Sequence, residues 1–499
     1  MRDMKTQASR RGFIRGAFGT ALFGIGGCRL FGGPQKVRLA VVGIMGKGFS
    51  DWMPMVKSGL AEIVAWCDAD ANQREAALGQ KQVAEIPGLR EHLAGIPFYT
   101  DYRRLVDAAG ALGIEAMTVS TPDHMHAAIA LSAMRQGIHV YVQKPLVRTM
   151  WELDRFARTA KECGVITQMG NQGSASEDVR RGTEILRAGL LGDVREVHVW
   201  TDRPVWPQGI WAKKAVVGAA DPIPSGLDWE AWIGVARMRD YKGKLPADCP
   251  TFNPWNPKKR LSPNVYHAFN WRGFLDFGCG AFDDMACHIM NMPFRGLELG
   301  LCTAAECTVV EEKNDVSFPA GSVVRLTYAA RESKARPGVR LPEVKLQWYD
   351  GGQKPSADLM PDGKVPKTGC LVLGSKGTLR STDGGTAFAF NGEKAMTDVG
   401  RHPACVAVPV SIPRCATGKE GHYVEFLQAI RGEGEKYADT RSRCFSDTEH
   451  SIPLMEGILC GVIAQQVAGE LKWDAANRRF DAAAANALLR PFLRSGWMS

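Results

Sequence analysis

Apolar and polar positions alternate over Val37–Val42 and then give way to three glycines, Gly43, Gly46 and Gly48. That order predicts a strand running into a tight turn. Residues 50–58 predict a helix, and 63–67 a second apolar strand that ends before Asp68. The rhythm continues with predicted helices over 72–86, 102–107, 124–136 and 152–163, and strands over 116–119, 140–142 and 166–169. Gly137 and Gly164 stop two of the helices. Strands alternating with helices across short connections imply a parallel, doubly wound α/β sheet over 37–170.

The pattern changes after Gly170. A helix is predicted over 177–188, and the segment REVHVWT alternates as a half-buried strand. The later runs 307–311, 322–328, 344–349 and 370–374 are strand-like and alternate more strictly, which predicts a large, open, mostly antiparallel sheet. With helices over 423–430, 454–469 and 477–497, residues 171–499 read as a C-terminal α+β domain. Residues 351–369 and 381–404 read as polar surface loops. A Trp- and Pro-rich insert fills 203–263, and so long an irregular stretch is either functional or a cover.

With 499 residues and 45% hydrophobic composition, the chain can build two large cores. Lys and Arg total 62 against 53 acids, a net charge of +9, but five of the basic residues and one acid precede Cys28, leaving +5 beyond it. No basic block is interleaved with aromatics, so nucleic acid is not an expected partner. The segment Ser9-Arg10-Arg11-Gly12-Phe13, followed by a glycine-rich apolar stretch, resembles a twin-arginine export signal. Ile25-Gly26-Gly27-Cys28 resembles a lipoprotein cleavage box with Cys28 as the lipidated residue, so membrane attachment is a candidate property. Residues 1–36 are therefore read as signal and linker, and the protein as exported to the periplasm or outer cell surface. Of the 13 cysteines none forms CxxC, and Cys67, Cys163, Cys302 and Cys460 lie in apolar runs, which predicts buried thiols rather than disulfides.

The glycine turn between a strand and a helix, with Asp68 after the next strand, is the order a dinucleotide site needs. Met45 stands where a middle glycine is usual. Asp68 would accept hydrogen bonds from ribose hydroxyls and repel a 2′-phosphate, which favours NAD over NADP. Three further strand ends carry unusual residues: Ser120-Thr121-Pro122-Asp123-His124-Met125-His126, Gln143-Lys144-Pro145 and Gly170-Asn171-Gln172-Gly173. Lys144, between a strand end and a proline, is held rather than trailing into solvent. The second domain offers Tyr266, His267, Trp271 and Arg272, then Asp284 and His288 four residues apart on one helix face. Such a pair can orient a polar substrate and pass a proton, or simply hold the helix together. Ligands at metal spacing are too few for a zinc site.

These motifs resemble the Gfo/Idh/MocA family, which includes glucose–fructose oxidoreductases and inositol dehydrogenases. The resemblance covers 37–499 and is densest over 37–190 and 264–292. It implies a Rossmann domain joined to a domain whose open sheet mediates a dimer or tetramer. By resemblance Lys144, Asp284 and His288 are catalytic. Gly43, Met45, Gly46, Lys47, Gly48, Asp68, Ser120, Thr121, Pro122, His124, His126, Gln143, Lys144, Asn171 and Gln172 would contact NAD. Tyr266, His267, Trp271, Arg272, Lys144, Asp284 and His288 would contact substrate. The family's Glu-Lys-Pro is Gln143-Lys144-Pro145 here, which removes a negative neighbour of Lys144, and Asn291 stands at an often acidic position.

The implied reaction is NAD-dependent hydride exchange with a sugar or polyol. Outside the cytoplasm free NAD is scarce, so an exported member would hold its cofactor tightly and recycle it in place. Coupled oxidation and reduction of two sugars does this. So does an NAD-dependent glycosidase, which oxidises C3 transiently, eliminates the glycosidic bond, adds water and returns the hydride. A non-catalytic sugar-binding protein is the third reading. The insert's tryptophans would cover the cofactor, stack on sugar faces or pack between subunits.

Overall fold

β1 (Val37–Val42) is buried along almost its whole length, as a strand covered on both faces must be. A computed structural model describes residues 36–250, 252–253 and 256–498. The proposed signal and Cys28 lie outside these residues. With β2 (Ala61–Cys67), β3 (Phe98–Tyr99), β4 (Ala116–Val119), β5 (His139–Gln143) and β6 (Thr167–Gly170), β1 forms a six-stranded sheet in the order β3-β2-β1-β4-β5-β6. Every pairing is parallel. The order reverses between β1 and β4, so a crevice opens beyond their carboxyl ends, where the glycine turn and Ser120 lie. The helix after the turn runs over Lys47–Lys57, starting three residues earlier than its apolar pattern suggests.

The second sheet has ten strands and is mostly antiparallel. β7 (Val194–Trp200) is the exception, pairing parallel with Val344–Asp350 and antiparallel with Gly369–Gly374. Helices Gly280–Ile289 and Thr448–Ala464 lie between this sheet and the Rossmann domain. Phe282, from the first of them, packs on Trp348 with ring centres 5.0 Å apart. The sheet thus fixes the helix that carries Asp284 and His288.

Several expectations are corrected. Residues 381–404 are not loop: Gly377–Thr382 and Gly385–Phe390 form a hairpin, and Thr397–Asp398 adds an edge strand. The glycines there make its turn, and the alternation TAFAF carries its second arm. The C-terminal helix over 477–497 is absent. That stretch holds a two-residue strand, Arg479–Phe480, and a single-turn helix, Ala483–Asn486. The tail is held by docking instead: the Arg494 guanidinium donates to the Gly234 and Glu230 carbonyls, and Trp497 is buried beneath Arg103. The helix over 72–86 breaks at Gly79 into Asn72–Leu78 and Lys81–Ala84. Cys163 is exposed, because the apolar run before it belongs to the other face of helix Met150–Cys163.

Candidate active site

A cavity of about 790 Å³ lies beyond the carboxyl ends of the parallel strands. Gly43, Met45, Gly46, Lys47 and Asp68 line one end, and Ser120, Thr121, Pro122 and Gln143 the middle. Lys144, Asp284 and His288 meet at the other end, with Trp206, Trp271 and Arg272, while His267 lines the wall beside Asp70. Both domains therefore contribute to one space. Trp206 and Trp232 bring the insert over it, whereas Trp200 and Trp229 pack in cores away from it.

The glycine end fits a dinucleotide. Gly43 has φ +82°, and a Cβ there would lie 2.5 Å from the Ser120 carbonyl oxygen. Gly46 has φ +61° with no protein atom within 4 Å of a built Cβ, so its backbone faces open space. It precedes helix Lys47–Lys57 without a side-chain cap, which leaves amide donors for an anion. Gly48, by contrast, does not line the cavity: a Cβ there would meet the Gly43 carbonyl oxygen at 1.9 Å, so it serves the turn itself. The Asp68 carboxylate accepts from the Ile44 amide at 2.9 Å and the Asp70 amide at 3.0 Å, one bond on each oxygen. Each oxygen keeps a lone pair for a ribose hydroxyl. Burial pushes this carboxyl up to about 6, against the two amides that favour its charge.

Lys144 Nζ donates to Asp284 Oδ1 at 2.7 Å and to the Asp284 carbonyl at 2.9 Å. Arg272 Nε donates to the same Oδ1 at 3.1 Å. Burial alone would raise the Asp284 carboxyl, but Lys144 and then Arg272 outweigh it and hold it at about 2. One turn further along the helix, burial and the Lys144 charge push His288 down to about 3. Its imidazole is therefore neutral at physiological pH. Asp123 also faces the cavity, with Oδ2 unpartnered, and burial pushes it up to about 7.

Five proposed contact residues stand elsewhere. Tyr266 is 1% exposed and packs among Trp229, Phe274 and Phe277, so it is core. His124 is buried beside Trp232 and Phe277, with Nε2 3.0 Å from the Trp232 carbonyl. His126 sits between the Pro145 and Thr121 carbonyls at 2.7 and 3.0 Å, tying the two strand-end loops together. Asn171 Nδ2 donates to the Cys287 carbonyl at 3.1 Å, which anchors the helix next to His288. Gln172 Nε2 lies 3.3 Å from the Tyr141 hydroxyl, behind the cavity wall. Partners from distant segments, aromatic rings for Tyr266 and His124 and carbonyl or hydroxyl oxygens for His126, Asn171 and Gln172, hold these groups away from the cavity. His267 does line the cavity, 3.3 Å from Asp70 Oδ2.

Sequence reasoning missed Asp51 and Tyr423. Asp51 is fully buried and accepts from Ser120 Oγ at 2.8 Å and from the Tyr423 hydroxyl at 2.9 Å, while Lys47 Nζ lies 2.8 Å away. The i,i+4 spacing of Lys47 and Asp51 was the available signal. Tyr423, more than 370 positions away, gave none.

Residues 37–171 match the family described as "Oxidoreductase family, NAD-binding Rossmann fold", Gfo/Idh/MocA. The match is confined to the N-terminal Rossmann domain. A "Glycosyl hydrolase family 109 protein" of Saccharopolyspora erythraea is 30% identical over 187 residues, 36% of this chain and 37% of that protein. The "2,7-anhydro-N-acetylneuraminate hydratase" of Mediterraneibacter gnavus is 29% identical over 85 residues, 17% of this chain and 23% of that one. The matched segments thus span well under half of these relatives. Among solved structures, an inositol dehydrogenase homolog from Azotobacter vinelandii complexed with NAD+ superimposes with a TM-score of 0.54 at 17% identity, covering 88% of this chain and 98% of that one. At that identity the likeness is one of fold, and it spans both domains.

Proposed function

We propose that this protein is an NAD-dependent oxidoreductase acting on a sugar or polyol, with its cofactor tightly held. The observation that carries this reading is the convergence of Lys144, Asp284 and His288 at one end of a cavity whose other end is the glycine turn and Asp68. Bound nicotinamide would supply the hydride acceptor or donor. The ionised Asp284 fixes the Lys144 ammonium, which then donates to the reacting hydroxyl and orients its carbon. Neutral His288 takes the hydroxyl proton as the C–H bond is broken, and returns it in the reverse direction. Holding the proton acceptor and the hydrogen-bond donor at one hydroxyl supplies proximity, a large entropic part of such catalysis.

A second reading, NAD-dependent glycoside cleavage by transient C3 oxidation, draws support from the similarity to glycosyl hydrolase family 109 proteins. Export through the proposed signal over 9–27, lipidation at Cys28 and assembly through the ten-stranded sheet belong to the same proposal. The test is to purify the protein without added nucleotide and measure the mass of the intact complex. It is then incubated with free sugars and, separately, with aryl glycosides. Ketosugar formation with net reduction of nucleotide supports the first reading. Aglycone release with solvent deuterium at C2 and no net reduction supports the second. Absence of nucleotide binding under all conditions refutes both.

A further inference from the structure

The substrate end of the cavity brings two cations, Lys144 and Arg272, to one firmly ionised acid. Lys144 and Arg272 both donate to a single acid, Asp284, through the same oxygen. The other cations on the wall have their own partners: Lys47 with Asp51, Arg203 with Asp202, and His267 with Asp70. Asp68 is occupied at the far end by two backbone amides. Two more acids, Asp123 and Asp283, stand near Asp284. Burial raises both, Asp123 to about 7, so they offset the surplus only in part at neutral pH. His288 adds no charge.

The Arg272 guanidinium is also set for one kind of ligand. Its carbon lies 4.2 Å from the centre of the Trp271 ring, 4.4 Å from Phe269 and 5.9 Å from Trp206. All three rings line the cavity. Aromatic faces hold the cation in place and keep water from it, which strengthens its attraction for an anion. Nε is bonded to Asp284 and Nη1 to the Phe269 carbonyl at 3.0 Å, which leaves Nη2 to form a charge-assisted bond with a carboxylate, stronger than one with a hydroxyl. A neutral polyol hydroxyl would only replace the bond water makes to this cation, whereas a carboxylate adds a charge-assisted one.

Resting on the oxidoreductase reading of this site, we infer that the substrate is a sugar acid whose carboxylate is received by Arg272 inside the box of Trp206, Phe269 and Trp271. Arg272 is then the residue that sets specificity, while its bond to Asp284 couples the bound carboxylate to the Lys144 end. The aromatic faces contact the apolar side of the sugar ring.

Calorimetric titration of the full-length protein with D-glucuronate, D-glucuronamide and D-glucose tests this. The amide keeps the shape of the acid and removes its charge. Glucuronate is expected to bind about 10- to 100-fold more tightly than either neutral compound, the range of a charge-assisted pair. In Arg272→Gln the gap falls to a few-fold, and in Arg272→Lys part of it returns. Equal binding of glucuronate and glucuronamide overturns the inference, as does absence of glucuronate binding or a gap that survives in Arg272→Gln. The comparison on the unaltered protein decides the matter even if the variants fail to fold. Turnover is read separately from nucleotide absorbance. Tight, charge-selective binding without hydride exchange on any sugar removes the oxidoreductase reading and leaves the carboxylate site standing.

Discussion

Gln143 Nε2 donates to both carboxylate oxygens of Asp51, at 3.0 and 2.9 Å. The acid expected at position 143 is thus found across the cavity floor, on the helix that follows the glycine turn. Asp51 is buried and already raised by desolvation, against the pull of Lys47. Gln143→Glu would set a second carboxylate against it, and one of the two must then hold a proton. The variant is expected to lose roughly 2–4 kcal/mol of stability at neutral pH, with the loss shrinking on acidification. Urea midpoints at pH 5 and pH 8 measure it, and an equal loss at both would contradict the charge argument.

Two glycines of the turn differ in what surrounds them, and this separates folding from binding. Gly48→Ala drives a methyl into the Gly43 carbonyl and should lower the unfolding temperature markedly. Gly46→Ala meets nothing in the protein, so its cost is confined to the φ of +61°, about 1–3 kcal/mol. The folded Gly46→Ala protein should nonetheless bind NAD more weakly, because the methyl enters space a pyrophosphate needs. Thermal melts with and without nucleotide distinguish the two.

Lys144→Met and His288→Ala remove groups that act on the same hydroxyl. Each is expected to lower kcat by about 10²- to 10⁴-fold while nucleotide binding is kept. Because His288 is held near 3, the rate should show no acid limb at the ordinary imidazole value. A limb near pH 6.5 that vanishes in His288→Ala would show that the ring is charged in the free enzyme.

Asp123 predicts a slope in stability. Its folded value of about 7 lies above the ordinary 3.8, so the unfolded chain gives up this proton first. Stability from the protonated carboxyl is complete below the unfolded value and is lost as pH rises through about 7. Asp123→Asn cannot lose it. The variant should therefore gain on the unaltered protein between pH 4 and pH 8, read from urea midpoints. A constant difference across that range would mean that Asp123 ionises normally.

The Rossmann domain was legible because parallel strands buried on both faces leave continuous apolar runs, and because Gly43, Gly46 and Asp68 mark its ligand end within one βαβ unit. Lys144, Asp284 and His288 were legible as motifs, but their meeting was not: Lys144 and Asp284 are 140 positions apart. The proposed contact residues that do not line the cavity share one cause. Tyr266, His124 and His126 have polar atoms that a motif reads as ligands, yet each is turned into packing by aromatic or carbonyl neighbours from distant segments. The C-terminal stretch failed for the opposite reason, since Arg494 finds carbonyls of the Trp-rich insert and Trp497 finds Arg103 on the first domain, and no helix is needed to bury them.

Asp68 bears on which nucleotide is used, and its pH behaviour gives a sharp test. Burial pushes the carboxyl to about 6, so the charge that repels a 2′-phosphate is complete only above that value. As pH falls through about 6 the preference for NAD over NADP should narrow. The 2′-phosphate itself gains a proton in a similar range, with a second pKa of about 6, so the control is Asp68→Asn. That variant lacks the titrating charge, and any narrowing it retains belongs to the phosphate. Without the carboxylate, NAD should bind about 10-fold more weakly, because the ribose hydroxyls lose a charged acceptor. NADP binding should improve by a similar factor. Dissociation constants of both nucleotides at pH 5.5 and pH 8, for both proteins, give the answer. If Asp68→Asn leaves the NAD-to-NADP ratio unchanged at pH 8, the carboxylate does not face the ribose, and the nucleotide lies in another orientation along the turn.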